Sequence, residues 1–254
     1  MREWKLEEVR YALVRERKYE VAVLPIGATE PHGLHLPYCT DNYEVNSVAD
    51  LACERANAMG AKVILLPTIP YGVNTNHLML PLAISVNPST LNRLIVDIVD
   101  SLEHHGIPKL IVLNGHGGNN FNNILRELFG RTKVFITWVN AWEVAEDVRK
   151  RLFKNPGEHA DEMETSWMLH LRPDLVFMDD CDDGATRTPR LKAMREGWAW
   201  FTRPWHVVTK NTGFGDPREA TAEKGKQFLE ALAENLAQFI KELSDAEMDE
   251  TFPY

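Results

Sequence analysis

The chain has 254 residues, 44% hydrophobic and 26% charged, enough for a sizeable core and read most simply as one α/β domain over 1–254. A formal net charge of -9 argues against a nucleic-acid or anionic-membrane surface, which would need a basic footprint. The charged N-terminus lacks a signal-like apolar stretch, no window is apolar enough to span a membrane, and Cys39, Cys53 and Cys181 have no metal-site spacing. These features lead us to expect a soluble cytoplasmic protein with reduced thiols.

In chain order, Val21–Ile26 is an apolar, β-branched run that reads as a buried strand. It leads into "ATEPHGLHLPYCTD", residues 28–41, which holds Glu30, His32, His35 and Asp41 among glycines and prolines. Lys62–Leu66 is a second strand. After Pro88, with Ser89 as the expected N-cap, Leu91, Leu94, Ile95, Ile98, Val99 and Leu102 repeat at helical spacing until "HHG" ends the segment. Lys109–Leu113 is a third strand, leading into "NGHGGNN". A helix is expected within "NNFNNILRELFG", a fourth strand over Lys133–Val139, a helix through "DEMETSWMLHL" and a last helix over roughly 217–243. Apolar runs of this length suit strands buried on both faces. Their alternation with helices implies a three-layer α/β/α sandwich with a mostly parallel sheet. Residues 179–216 break the rhythm and read as an irregular lid or interface excursion, with Trp198, Trp200 and Trp205 offering aromatic surface.

In a parallel sheet the loops after the first and third strands leave the same carboxyl edge, where open α/β proteins bind ligands. Glu30, His32, Asp41 and His116 can therefore meet there. Carboxylate and imidazole ligands suit Zn²⁺ or Mn²⁺, with Fe²⁺ also compatible. Glu30 and His32, two residues apart in extended backbone, point the same way. Gly117 and Gly118 let backbone approach an ion or substrate. In "GEHADEMETSWML", Glu158 and His159 form a candidate acid/base pair. Glu164 shares a helical face with Trp167, Met168 and Leu171 and is expected to point inward, whereas Glu162 lies towards a more polar side. His77 is a candidate substrate contact.

Together these blocks resemble the creatininase (creatinine amidohydrolase) family: "GATEPHGLHLPYCTD", "NGHGGN" at 114–119, and Glu158 to Ser166 as its "EHA…ETS" segment. The resemblance runs from about residue 18 to 178. It implies a Rossmann-like fold with two divalent metals per chain, Glu30, Asp41 and His116 on one and His32 and Asp41 on the other. The glutamate that completes the second site in creatininase is replaced here by Gly118, and Glu164 is assigned in its stead. A tryptophan that closes over creatinine is replaced by Asn155, so strict creatinine specificity is not expected. The resemblance further implies hydrolysis of a cyclic amide or formamide C–N bond in a small polar substrate by a metal-bridging hydroxide, in a homo-oligomer, commonly a hexamer. Alternatives are hydrolytic opening of a small cyclic ketone and a non-catalytic metal- or sugar-binding protein on the same fold.

Overall fold

The computed structural model describes residues 2–155 and 157–254. Its sheet has four parallel strands, β1 (Val21–Ile26), β2 (Val63–Leu65), β3 (Lys109–Asn114) and β4 (Phe135–Asn140), in the order β2-β1-β3-β4. The helices among the described residues are α1 (Tyr11–Val14), α2 (Thr40–Ala58), α3 (Pro88–His104), α4 (Asn122–Leu128), α5 (Glu146–Leu152), α6 (Glu162–Leu171), α7 (Lys192–Arg195), α8 (Trp205–Val208) and α9 (Ala222–Asp245).

Alternation along the strands divides the core into two layers. Val21, Val23, Ile111 and Leu113 face a cluster built with α2, α6 and α9. Ala22, Leu24, Ile26, Leu110 and Val112 face a second cluster with Leu91, Ile95, Val99 and Leu102 of α3 and Ile124 and Leu128 of α4. The expected α/β/α sandwich is therefore present. The central strands β1 and β3 are buried throughout, but β4 is only half-buried at every position, because it forms the sheet edge. The opposite edge, β2, is covered by the N-terminal segment: the Leu65 amide donates to Trp4 O and the Leu6 amide to Leu65 O.

Two helix starts and one long helix differ from the sequence reading. Helix α3 starts at Pro88, with Asn87 in the N-cap position rather than Ser89, because proline fits the first helical turn, where its missing N–H is not needed. Helix α9 starts after Thr221, whose side chain accepts from the Lys224 amide. Helix α2 was not anticipated at all. Its buried positions, Thr40, Asp41, Glu44, Val45, Val48, Ala49, Ala52, Cys53 and Ala56, keep helical spacing, but two of them carry carboxylates and three are alanine. Helices α6 and α9 cross closely at Gly225, where a Cβ would lie 1.9 Å from Ser166 O.

Candidate metal centre at the carboxyl edge of the sheet

From β1 the chain turns to β2 on one side and later returns to β3 on the other, so the loops after β1 and β3 leave a crevice between them. The two strands end in register at Ile26 and Asn114, and the Gly115 amide donates to Ile26 O at 2.8 Å. Glu30 and His32 enter the crevice from one loop and His116 from the other. Asp41 sits in the first turn of α2, and Glu164 in the first turn of α6.

Their side chains converge. Glu30, Asp41 and His116 form one group in which ligand atoms lie within 4.8 Å of one another; His32, Asp41 and Glu164 form a second, and Glu30, His32 and His159 a third. Asp41 is common to the first two. His116 Nδ1 stands 3.2 Å from Glu30 Oε1 and 3.0 Å from Asp41 Oδ2, and His32 Nε2 stands 2.8 Å from Asp41 Oδ1 and 4.0 Å from Glu164 Oε2. His77 also reaches the group, with Nδ1 2.5 Å from Glu30 Oε2.

Three histidines share one arrangement. His32 Nδ1 meets Glu30 O at 3.0 Å, His116 Nε2 meets Val73 O at 3.1 Å, and His159 Nε2 meets Pro31 O at 2.9 Å. Donating one ring N–H to a carbonyl leaves the other nitrogen facing the cluster, the orientation found around metal-ligating histidines. Several buried atoms that face one another nonetheless lack hydrogen-bond geometry: Glu30 Oε2, Asp41 Oδ2, and both ring nitrogens of His77. Such atoms are costly unless a further partner satisfies them, and carboxylate and imidazole groups match a divalent cation. The residues fit the metal.

The electrostatics of this cluster are those of groups in need of a cation. Burial disfavours a charged His32, yet Asp41 beside it, with Glu164 and Glu30, raises its pKa to about 10. His116 is likewise raised, by Glu30 and Asp41 against burial. Burial lifts Glu164 to about 8, partly offset by His32. His159 goes the other way: burial, then the neighbouring His32, lowers it to about 3, so its imidazole is neutral at pH 7.

A cavity of about 680 Å³ opens over the cluster. Gly117 and Gly118 line it, and their amides donate to no acceptor among the described residues. Sequence neighbours Glu158 and His159 separate. His159 is buried with Nδ1 3.6 Å from Glu30 Oε1, whereas the half-exposed Glu158 carboxylate accepts from Arg203 Nη2 at 2.6 Å at the cavity wall. Ala160, at φ 48°, makes the turn that lets His159 and Glu164 face the same cavity, and its amide donates to Glu164. Glu162 points away from the cluster, as expected, but into a buried site rather than a polar surface. Lys224 pairs with it and the Lys154 and Asn155 amides donate to it.

Three contributors escaped the sequence reading. Trp205 is 4% exposed, not surface aromatic, and packs 5.0 Å from the His77 ring and 5.7 Å from the His159 ring. Arg203 stacks on Trp205 and lines the same wall, so the 179–216 excursion folds back over the cavity; Trp198 and Trp200 remain exposed. Glu44, one turn after Asp41, also lines the cavity. The helical spacing within α2 was the signal available for Glu44; nothing local marks Arg203.

A parallel α/β/α sandwich with histidines and carboxylates gathered at its switch point defines the class as a metal-site α/β protein. The chain matches the family model "Creatinine amidohydrolase" over residues 3–240, and it belongs to the creatininase family. A creatinine amidohydrolase from Pseudomonas putida is 29% identical, covering 87% of this chain and 89% of its own length. A mycofactocin precursor peptide peptidase from Mycolicibacterium smegmatis is 28% identical (87% and 84% covered), and a 3-dehydro-scyllo-inosose hydrolase from Thermotoga maritima 26% (91% and 81%). Among solved structures, a creatinine amidohydrolase homologue from Bacteroides fragilis superposes with a TM-score of 0.90 at 35% identity, covering 98% of this chain and 100% of its own. A manganese form of creatininase superposes at 0.76 with 25% identity, covering 96% and 99%. The relatives named are hydrolases, and the chain is a hydrolase of this family.

Proposed function

We propose that the protein is a metal-dependent hydrolase of a small polar substrate, cleaving a non-peptide C–N bond such as that of a cyclic amide or formamide. The observation that carries this reading is the set of buried, converging ligand atoms shared through Asp41, of which Glu30 Oε2 and Asp41 Oδ2 have no hydrogen-bond partner. Glu30, Asp41 and His116 would hold one cation and His32, Asp41 and Glu164 a second. When bound, divalent ions supply Lewis-acid polarisation of a carbonyl and lower the pKa of water.

The remaining work falls to the chain. The Gly117 and Gly118 amides, free of other acceptors, are placed to receive the substrate carbonyl oxygen. Neutral His159 takes and returns a proton at Nδ1, its other nitrogen fixed by Pro31 O. His77 and Trp205 wall the cavity, and Arg203, held by Glu158, contributes the polar contact at its side. Ring opening of a cyclic ketone, the chemistry named for the Thermotoga relative, is the second reading, since the same donor set polarises a ketone.

The test is elemental analysis after reconstitution with Zn²⁺ or Mn²⁺, followed by assay on cyclic amides, formamides and inososes. Wild type is expected to carry up to two ions per chain and His116→Ala to lose most of that metal. A folded wild type that takes up no metal would sink the proposal.

Uptake is also expected to release protons. His32 and His116 hold theirs at pH 7 in the metal-free cluster, and a ligating imidazole must give one up, so affinity should rise with pH. The stability of the metal-free fold should run oppositely. A raised His32 stabilises it fully below the ordinary value of 6.5 and loses that contribution as pH rises through about 10. Glu164, raised from 4.5 to about 8, acts in the same direction. Calorimetry in buffers of differing ionisation enthalpy measures the proton release, and melting curves from pH 7 to 10 measure the stability. Uptake without proton release would contradict the assignment of these histidines.

A further inference from the structure

Position 118 has no space for a side chain. A Cβ on Gly118 would lie 2.4 Å from His116 Nε2 and 2.4 Å from Val73 O. The loop after β3 therefore sends one side chain, His116, into the cluster, and the His32 side must draw its carboxylates from the helices. Glu164 of α6 is one.

Glu44 of α2 is a further acid of the same cavity, although it belongs to none of the groups whose ligand atoms lie within 4.8 Å of one another. It lies one helical turn beyond Asp41, lines the same cavity and is 4% exposed. Its Oε1 has no hydrogen-bond partner, and no cation of the chain pairs with its carboxylate among the described residues. Burial, and then the charges of Glu164, Asp41 and Asp161, push its carboxyl well above the usual carboxylate range. Glu162 shows how this fold treats a buried carboxylate with a structural role, giving it a lysine and two backbone amides. Glu44 receives none of these. A buried carboxylate beside other carboxylates opposes folding unless a cation answers it.

We propose that Glu44 assists the ion of His32, Asp41 and Glu164 from across the shared cavity by its negative charge, outside the groups of atoms close enough to ligate one ion together. The inference rests on the metal-dependent reading above.

The test uses full-length wild type, Glu44→Gln and Glu44→Asp, each stripped with a chelator and reconstituted with Zn²⁺ alone. Bound zinc and melting temperature are measured before and after. Glu44→Gln is expected to retain the ion of Glu30, Asp41 and His116 but to bind the other at least tenfold more weakly. Its metal-free form should melt at or above wild type, since an unpartnered buried acid beside other acids has gone, while its zinc-induced rise in Tm is smaller. Glu44→Asp, which keeps the charge on a shorter arm, should fall between. Equal zinc uptake and an equal Tm rise in Glu44→Gln would overturn the proposal and leave the hydrolase reading intact. A metal-free Glu44→Gln that melts below wild type would also overturn it, marking Glu44 as a structural group. Wild type that binds no zinc would bring down both.

Discussion

His159→Asn is expected to lower kcat by about 10²–10⁴-fold on whichever substrate the panel identifies, with bound metal unchanged. Asparagine places an amide where Nδ1 faces Glu30 but gives up the Nε2 contact to Pro31 O, and it has no titratable nitrogen. The loss should fall on kcat more than on KM, because proton transfer is completed only in the transition state. Elemental analysis of the same preparation separates the two roles the geometry permits. His159 belongs to one of the ligand groups, with Glu30 and His32, so a variant that loses metal would make it a ligand. Full activity with full metal would move the proton transfer elsewhere, and His77, 2.5 Å from Glu30, would be next to test.

The largest effect on stability is expected from Gly225→Ala. The added Cβ would meet Ser166 O at 1.9 Å, Ser166 C at 2.4 Å and Trp167 N at 2.8 Å, all backbone atoms that no rotamer change can move. Helix α9 must then lift from α6, opening the packing around Trp167 and Phe228, which lie 5.6 Å apart. Overpacking of this kind costs about 1–3 kcal/mol, and more where backbone has to shift. For a chain of this size each kcal/mol lowers Tm by roughly 2–4 °C. Because α6 carries Glu164, metal occupancy on the His32 side should fall with it. A thermal melt that matches wild type would show that the crossing relaxes freely.

The layers of the fold were legible because β1 and β3 are uninterrupted apolar runs, and such runs are sustained only when both faces of a strand are covered. The half-buried β4, apolar but for Thr137 and Asn140, reads much like β3 in composition, so its place at the edge could not be read from it. Helix α2 escaped because its inward stripe carries Asp41 and Glu44, acids that break the apolar period where the site needs them. The metal-competent cluster was readable from two loops on one predicted edge plus Glu164 on a helical face. Glu158 and His159 looked like a pair because they are adjacent, yet the left-handed Ala160 and the reach of Arg203 send them to different places. The contributions of Arg203 and Trp205 arise from a long irregular return of the chain, a contact for which no local periodicity exists.

The separation of the converging residues along the chain also bears on when the site can form. Glu30 follows β1, His116 requires β3 to have paired beside β1, and Glu164 requires α6 to have docked on α2 and α9. No nascent fragment that ends before α6 contains the donors of both groups, and pairings between such distant segments are among the slower events of folding. Cation capture is thus a closing event of maturation, and an ion that binds only the finished arrangement draws the folding equilibrium towards it by mass action. Starving a cell of metal during synthesis would then differ from stripping the mature protein. The first would leave chains waiting at a nearly assembled stage, their acidic crevice unneutralised, and the second would open a structure already closed.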